Sequence, residues 1–340
     1  MQPNETYGDR TMRIHCFRYG LLAACLLAST ALAAHAEPAG AVLRDGVVVD
    51  VPGSVAYVMH PQGGIEALDL EKGTVLWRSA AAERPLALAD GLLVAQAPAG
   101  GHGELRIVTL DVRRGALTAQ AALPMPAGVR AEAAETVDQK FRVTASPSAQ
   151  GIVLAWDSQE LPSLPRRNAA RPGIGAKALA AGEEPEIRSG TALFDARAGR
   201  LLSMKAKAAA NVQALDASRP VMAKTLSAPT APERLFASAD RRHVLASRRV
   251  DEYTSPAPYL WTISDAATGA VLGTLRSAVS MTPFAVTGTR LIHVVPISSR
   301  HEGSKWIDQP LRLRAVDLAT GQELWTREIR DTAFRGPFPL

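Results

Sequence analysis

One short phrase recurs along this chain and constrains its fold more than any other feature. The phrase places a Gly four residues after an Asp, with a mostly apolar run on each side. A fixed internal phrase of this kind is typical of a repeat architecture. It occurs five times, as Asp69 with Gly73, Asp111 with Gly115, Asp195 with Gly199, Asp265 with Gly269, and Asp317 with Gly321.

Each copy predicts a β-hairpin, with the two apolar runs as strands and the step from Asp to Gly as the turn. Asp suits the beginning of the turn because its carboxylate accepts hydrogen bonds from backbone N–H groups ahead of it. Gly suits the end because a type I turn between twisted strands usually closes with a residue of positive φ. Two copies continue to a Trp eight residues after the Asp, Trp77 and Trp325.

Two further strand-like runs precede each hairpin, so the sequence predicts units of four strands. Such units repeated along a chain are the blades of a β-propeller. The steps between successive Asp residues are 42, 84, 70 and 52 residues, whereas a compact blade needs roughly 40–45. We therefore expect an all-β propeller over residues 37–340 with about five blades, and six as the alternative. The long steps predict a loop insertion at about 157–189 and a loose connection at about 205–232.

The last copy, Ala315-Val-Asp-Leu-Ala-Thr-Gly-Gln-Glu-Leu-Trp325, and the first, Ala67 to Trp77, resemble the pyrroloquinoline quinone (PQQ) type propeller repeat. The first copy departs from the repeat pattern only at Lys72, which replaces Thr. Proteins of this family are either quinoprotein dehydrogenases or non-catalytic periplasmic propellers of outer-membrane protein assembly. The resemblance implies a propeller and favours the non-catalytic group. It also implies that Trp77 and Trp325 are structural residues packed against neighbouring blades.

The front of the chain resembles a secretory signal peptide. Arg13 and Arg18 precede an apolar run at 21–34, and an Ala-x-Ala site ends at Ala36. These three features predict export to the periplasm with cleavage after Ala36. The apolar run is shorter than the roughly 20 residues of a membrane span, so no transmembrane segment is expected. Met12 is an alternative start.

A lipoprotein is the competing interpretation of the same segment. Leu22-Ala-Ala-Cys25 satisfies a lipobox, which would place a lipid on Cys25 and anchor the protein to the outer membrane. Only six residues separate Arg18 from Cys25, and the chain stays apolar after it, which favours cleavage after Ala36. The two cysteines, Cys16 and Cys25, both precede that site, so no disulfide is expected in the mature protein.

Composition and motifs favour no catalytic class. Quinoprotein dehydrogenases hold PQQ against a vicinal disulfide, with calcium on Glu, Asn and Asp, and no such set of residues can be assigned here. The formal net charge of +5 is mild, so nucleic acid is not an expected partner. We therefore expect no enzyme activity and no cofactor. A quinoprotein-like enzyme, or a small-ligand binder that uses the central channel, is the alternative.

The histidines give little indication of a metal site. His60 and His293 fall in or beside predicted strands, where neighbouring backbone usually satisfies a histidine ring. His301-Glu302 could bind a metal, but no second pair of ligands stands at metal-site spacing.

Two segments break the strand pattern and are candidates for partner binding. The insertion at 157–189 carries Arg166 and Arg167, and a polar loop at 299–306 ends in Trp306. Long loops on rigid scaffolds often bind partners, although a disordered excursion explains the insertion equally well. The sequence thus predicts a periplasmic scaffold that binds another cell-envelope protein through these loops.

Export can be tested directly. Cleavage after Ala36 should leave a periplasmic protein that begins at Glu37 and contains no free thiol. N-terminal sequencing and intact mass of the exported protein check this. A lipidated Cys25 at the mature N-terminus would contradict it.

Overall fold

The computed structural model describes residues 40–99, 103–132, 139–160, 187–207, 234–250, 257–302, 305–330 and 332. The regular elements of these residues are 23 β-strands. The first sheet comprises β1 (Ala41–Arg44), β2 (Val47–Asp50), β3 (Val55–Met59), β4 (Ile65–Asp69) and β5 (Val75–Ser79). The second comprises β6 (Arg84–Ala89), β7 (Leu92–Gln96), β8 (Glu104–Asp111) and β9 (Leu117–Pro124).

The remaining strands repeat the four-stranded pattern. The third sheet comprises β10 (Gln139–Ser148), β11 (Gly151–Glu160), β12 (Ile187–Asp195) and β13 (Arg200–Lys207). The fourth comprises β14 (Arg234–Ala237), β15 (His243–Arg249), β16 (Tyr259–Asp265) and β17 (Val271–Ser277). The fifth comprises β18 (Phe284–Thr287), β19 (Arg290–Val295), β22 (Arg312–Asp317) and β23 (Glu323–Glu328), with an inserted hairpin of β20 (Ser298–Glu302) and β21 (Lys305–Gln309).

All five sheets are antiparallel meanders, in which each strand pairs with the next strand of the repeat. Strand β1 extends the first sheet by pairing with β2. These sheets confirm the predicted all-β propeller of four-stranded blades. The two segments that would hold the alternative sixth blade, 161–186 and 208–233, lie outside the described residues.

The recurring phrase forms the same turn in all five sheets. In each copy the Asp Oδ1 accepts the backbone N–H three residues ahead, at 2.7–3.1 Å. The Gly of each copy has a φ between 62° and 72°, a conformation that glycine adopts without strain. The register of each hairpin shifts by one residue just before the Asp. The turn is therefore a type I turn followed by a bulge, fixed by local chemistry.

The two tryptophans connect one sheet to the turn of the next. Trp77 of β5 donates its indole N–H to the carbonyl of Val112 at 2.9 Å, and its ring lies against Gly115 of the second sheet. Trp325 of β23 repeats this contact on the first sheet, where its indole donates to Leu70 at 3.1 Å and its ring lies against Gly73. The fifth sheet therefore packs against the first, although more than 200 residues separate them in sequence.

The turn that ends at Gly321 meets its neighbouring sheet without an aromatic ring. Strand β17 carries Gly273 at the position of the tryptophans, and a Cβ at Gly273 would meet the carbonyl of Leu318 in the fifth-sheet turn. A Cβ at Gly321 would lie 3.7 Å from the carbonyl oxygen of Thr274 and 3.9 Å from Cβ of Leu275, which are ordinary contacts. Gly321 therefore differs from Gly73 and Gly115, because its φ of 70° requires a glycine but the space beside it does not.

Apolar side chains fill the spaces between sheets. Four buried clusters join the first sheet to the second, the second to the third, the fourth to the fifth, and the fifth to the first. In the part of the chain that the structure describes, none of the four joins the third sheet to the fourth. Strand β11 shows how the sequence builds these layers, since its side chains alternate between buried and half-buried from Ile152 to Ser158.

The two ends of the strands carry very different connections. At one end, here called the turn face, lie the first-to-second and third-to-fourth connections of every repeat: 51–54, 70–74, 90–91, 112–116, 149–150, 196–199, 238–242, 266–270, 288–289 and 318–322. At the other end, here called the connection face, lie the second-to-third connections and the links between sheets. These include 97–103, 125–138, 161–186, 208–233, 250–258 and 296–311.

The Gly positions allow a matched test of the docking of Trp77. Gly115→Ala should destabilise the protein more than Gly269→Ala, because a Cβ at Gly115 meets the ring of Trp77 whereas no atom lies within 4 Å of a Cβ at Gly269. Both glycines have positive φ, so both variants share a strain cost of about 1–2 kcal/mol. Overpacking should add about 1–3 kcal/mol at Gly115 alone. Denaturant unfolding measures the free energy of unfolding of both variants. Equal decreases would show that packing of the Trp77 ring does not require a glycine at 115.

Candidate functional site

The connection face is where the structure places the candidate binding segments. Trp306 lies in β21, opposite His301 of β20, so its backbone belongs to a β-hairpin and not to the expected irregular loop. Pairing runs from Ser298–Gln309 to Glu302–Lys305, so this polar stretch forms two strands. Ile307 and Asp308 of this hairpin are exposed. The hairpin follows the second strand of the fifth sheet and therefore leaves from the connection face.

The structure shortens the second candidate segment, which is the predicted insertion at 157–189. Arg166 and Arg167 lie outside the described residues, but the strands on both sides of them are described. Gln159 pairs with Ile187, and Glu160 pairs with Gln139 at the end of the third sheet. The ends of the expected insertion at 157–189 are therefore strand, and the connection itself is 161–186. Likewise, the first residues of the expected loose connection at 205–232 belong to β13.

The part of the connection face beside the third sheet is polar. Lys140 and Arg142 of β10 pair in register with Gln159 and Asp157 of β11. Burial raises the pKa of Asp157, the Arg142 guanidinium opposes that rise, and Asp45 in the β1–β2 turn adds to it. Asp157 and Asp45 are therefore near enough to interact, although they belong to different sheets. This surface can accept charged groups, but it brings together no nucleophile and base.

A buried carboxylate lies at the connection face of the first sheet. Glu66 of β4 is 5% exposed and lies 2.5 Å from Nε of Arg78 and 3.4 Å from Nε2 of His60. The backbone N–H of Gln62 donates to Nδ1 of the same histidine at 3.2 Å. His60 is thus held by its own loop and by Glu66, which is a structural arrangement.

His293 has a different environment from the one expected for a strand histidine. It is 5% exposed, neither ring nitrogen makes a hydrogen bond of normal geometry, and its ring meets Trp261 edge-on at 5.5 Å. Burial lowers the pKa of His293 to about 4, and Arg314 on the adjacent strand contributes in the same direction. An interaction with the Val294 backbone opposes them weakly. The ring is therefore neutral and packs as an aromatic side chain between the fourth and fifth sheets.

The other candidate metal ligands are not described by the structure. His102 and the side chains of His301 and Glu302 lie outside the described residues. Among the residues that the structure does describe, no group of three or more His, Cys, Asp or Glu side chains could hold a metal ion. In the same ranges no helix is long and apolar enough to cross a membrane.

The carboxylates of the repeated Asp residues accept hydrogen bonds within their own turns. Hydrogen bonds from Thr268 to Asp265, and from Thr320 to Asp317, lower the pKa of both carboxyls. In both cases the backbone N–H of the Thr contributes most and its hydroxyl next. These carboxylates are hydrogen-bond acceptors for the turn, which makes them poor general bases. Sequence reasoning missed the Asp45–Asp157 pair and the Glu66 cluster, since no local motif marks contacts between strands.

Comparisons with known proteins point to one family. The model of a family described as outer membrane protein assembly factor BamB matches residues 31–218. No curated protein matches the chain. Among solved structures, BamB from Moraxella catarrhalis is 15% identical with a TM-score of 0.25, over 87% of this chain and 86% of that one.

Two other solved structures are similar to the same extent. Quinohemoprotein alcohol dehydrogenase from Comamonas testosteroni is 12% identical with a TM-score of 0.27, over 87% of this chain and 44% of that one. The computationally designed Ika8 protein is 13% identical with a TM-score of 0.24, over 88% of this chain and 92% of that one. Identities and TM-scores this low discriminate neither activity nor partner.

The neutral state of His293 predicts a pH dependence of stability. Its pKa is about 4 when folded and 6.5 at the ordinary value, so the unfolded chain binds the extra proton between these pH values. Stability should therefore fall as pH drops from 6.5 to 4, by up to about 3 kcal/mol. His293→Phe keeps a ring against Trp261 and should remove this part of the dependence. Urea unfolding of both proteins across pH 4–7 measures it, and identical pH profiles would contradict the assignment.

Proposed function

Because the chain belongs to the family described as outer membrane protein assembly factor BamB, we propose that it is a non-catalytic propeller that binds another cell-envelope protein. The family match over residues 31–218 is the observation that carries this proposal. The process that the binding serves is then assembly of outer-membrane proteins. The protein acts as a scaffold whose sheets hold binding segments in place.

The distribution of connections supports binding at the connection face. The turn-face connections are all five residues or shorter, whereas 161–186 and 296–311 leave from the connection face. Long connections on a rigid framework commonly carry binding, because their sequences are free of the packing demands of the sheets. Arg166, Arg167 and Trp306 are the proposed contacts, since Arg and Trp are enriched among residues that dominate interface energy.

The chemistry of the described side chains supports a role without turnover. The motif carboxylates accept backbone N–H groups, His60 is held by Glu66, and His293 is buried and neutral. The two cysteines precede the proposed cleavage site after Ala36. These groups are already engaged in structure, which leaves few for acid–base or nucleophilic catalysis.

A periplasmic location is part of the same proposal. It rests on the signal peptide that the sequence predicts over 1–36, and that segment lies outside the described residues. Lipidation at Cys25 would place the protein on the outer membrane instead, with the propeller in the same compartment.

Two variants test the proposed contacts. Replacing residues 162–185 by a short Gly-Ser linker leaves β11 and β12 complete, so the fold should survive. Recovery of an envelope protein by this deletion variant and by Trp306→Ala should fall at least tenfold, as expected when interface anchors are removed. Quantitative pull-down from an envelope extract measures it. Leu324→Ala is the control, because it shortens an exposed apolar side chain on the outer strand of the fifth sheet. This variant should bind normally.

The outcomes separate the scaffold from its rival. Equal recovery by wild type and both variants would contradict a role for these segments in partner binding. Failure of wild type to recover any envelope protein would contradict the scaffold itself. A change in the absorption spectrum on adding PQQ and calcium, with dye-linked alcohol oxidation, would instead establish the quinoprotein alternative.

A further inference from the structure

The turn face carries arginines that the turns do not require. Two and three residues after the Asp, the fourth and fifth sheets have Ala-Thr, at 267–268 and 319–320, whereas the second sheet has Arg113-Arg114. The third sheet has Arg197 at the first of these positions and Arg200 just beyond the turn. All five turns make the same hydrogen bonds from backbone N–H to Asp. The arginine side chains are therefore free of any role in forming the turn.

These arginines lie on two adjoining sheets. The turn of the third sheet packs on the outer strand of the second, because a Cβ at Gly199 would meet Ala119. Arg197 Nε lies 3.0 Å from Oδ2 of Asp90, which belongs to the β6–β7 turn of the second sheet. The surface is therefore continuous. We call it the arginine patch and define it by Arg113, Arg114, Leu117, Arg197, Arg200 and Leu202.

The patch combines exposed guanidinium groups with exposed apolar side chains. All four arginines are exposed, and the side chain of Arg197 is 74% exposed even while paired with Asp90. Leu117 and Leu202, at 50% and 42% exposure, lie on the outer strands β9 and β13, which contact each other. Arg beside exposed aliphatic residues is a composition typical of protein interfaces.

The carboxylates of this region offset only part of the positive charge. Asp111 and Asp195 each accept two backbone N–H groups inside their turns. Asp90 is paired with Arg197. The region thus has four guanidinium groups and three carboxylates, and the carboxylates already have hydrogen-bonding or ionic partners. The surface is complementary to an additional negative group.

We propose that the arginine patch binds an acidic segment of a protein partner, with apolar side chains of that segment covering Leu117 and Leu202. This surface is at the opposite end of the strands from the connection face, so it goes beyond the function proposed above. It gives the scaffold a second docking surface. A protein segment fits better than an anionic membrane, because carboxylates are interspersed among the four arginines, whereas membrane-binding clusters concentrate basic residues alone.

Site-specific photo-crosslinking tests the proposal with the full chain. A photoreactive residue at Ala198, which is exposed between Arg197 and Gly199, should crosslink to a protein segment in an envelope extract. Mass spectrometry should identify the crosslinked peptide, and the sequence of that peptide should carry a net negative charge. The same residue at Ala319, an exposed position in the turn of the fifth sheet, should give no such product.

Charge variants then test the arginines themselves. Arg113→Glu with Arg114→Glu should lower the yield of the crosslink about tenfold, in line with the loss of close charge pairs at an interface. Lys72→Glu with Arg248→Glu makes the same charge change at exposed positions away from the patch and should leave the yield unchanged. Circular dichroism and thermal unfolding confirm that both variants fold.

Several results would overturn this inference while leaving the connection-face proposal intact. They are the absence of a crosslink at Ala198, a crosslinked segment without net negative charge, and equal yields from both charge variants. Binding of wild type to phosphatidylglycerol vesicles that is lost in Arg113→Glu/Arg114→Glu, without a protein crosslink, would assign the patch to a membrane. The deletion of 162–185 should leave the Ala198 crosslink in place, which separates the two surfaces.

Discussion

The hydrogen bond from backbone N–H to the Asp of each turn is the interaction on which the rest of this structure depends. It fixes the turn, and the turn sets the positive φ of the glycine four residues later. Because that glycine has no side chain, an aromatic ring from the preceding sheet can lie directly on its backbone, as Trp77 does on Gly115. The hydrogen bonds of each turn thereby make contact between sheets possible. Trp325 packs on Gly73 in the same way and joins the last sheet to the first.

This arrangement separates structural from functional sequence. The turn face is built from short connections with repeated hydrogen bonds, so its backbone is set and only outward side chains vary. The connection face has no repeated turn and tolerates insertions of very different length. A scaffold with these two ends can hold one partner by inserted segments and meet another through side chains on rigid turns.

The hairpins, the sheet class and the repeat could be predicted because their signals are local. Asp and Gly act within five residues of each other, and alternation of apolar residues needs only one strand. The neighbours of a side chain in another sheet could not be predicted in this way. His293 was expected to be satisfied by backbone, yet it packs on Trp261 of the fourth sheet. Trp306 was expected in a loop, yet pairing with 298–302 makes a strand. The Asp45–Asp157 interaction likewise links the first sheet to the third, and no local sequence signal marks it.

The central claim is that the ring of Trp325 supports a turn that belongs to a distant part of the sequence. Native-state hydrogen exchange of Trp325→Ala tests it most directly, with the amides of Glu71, Lys72 and Gly73 as the readout. These amides donate within the turn on which the ring docks, so they should lose protection in the variant. The corresponding amides at 267–269, where a Cβ at the glycine would meet no atom within 4 Å, should be unchanged. Equal loss at both turns, or none at 71–73, would contradict the claim.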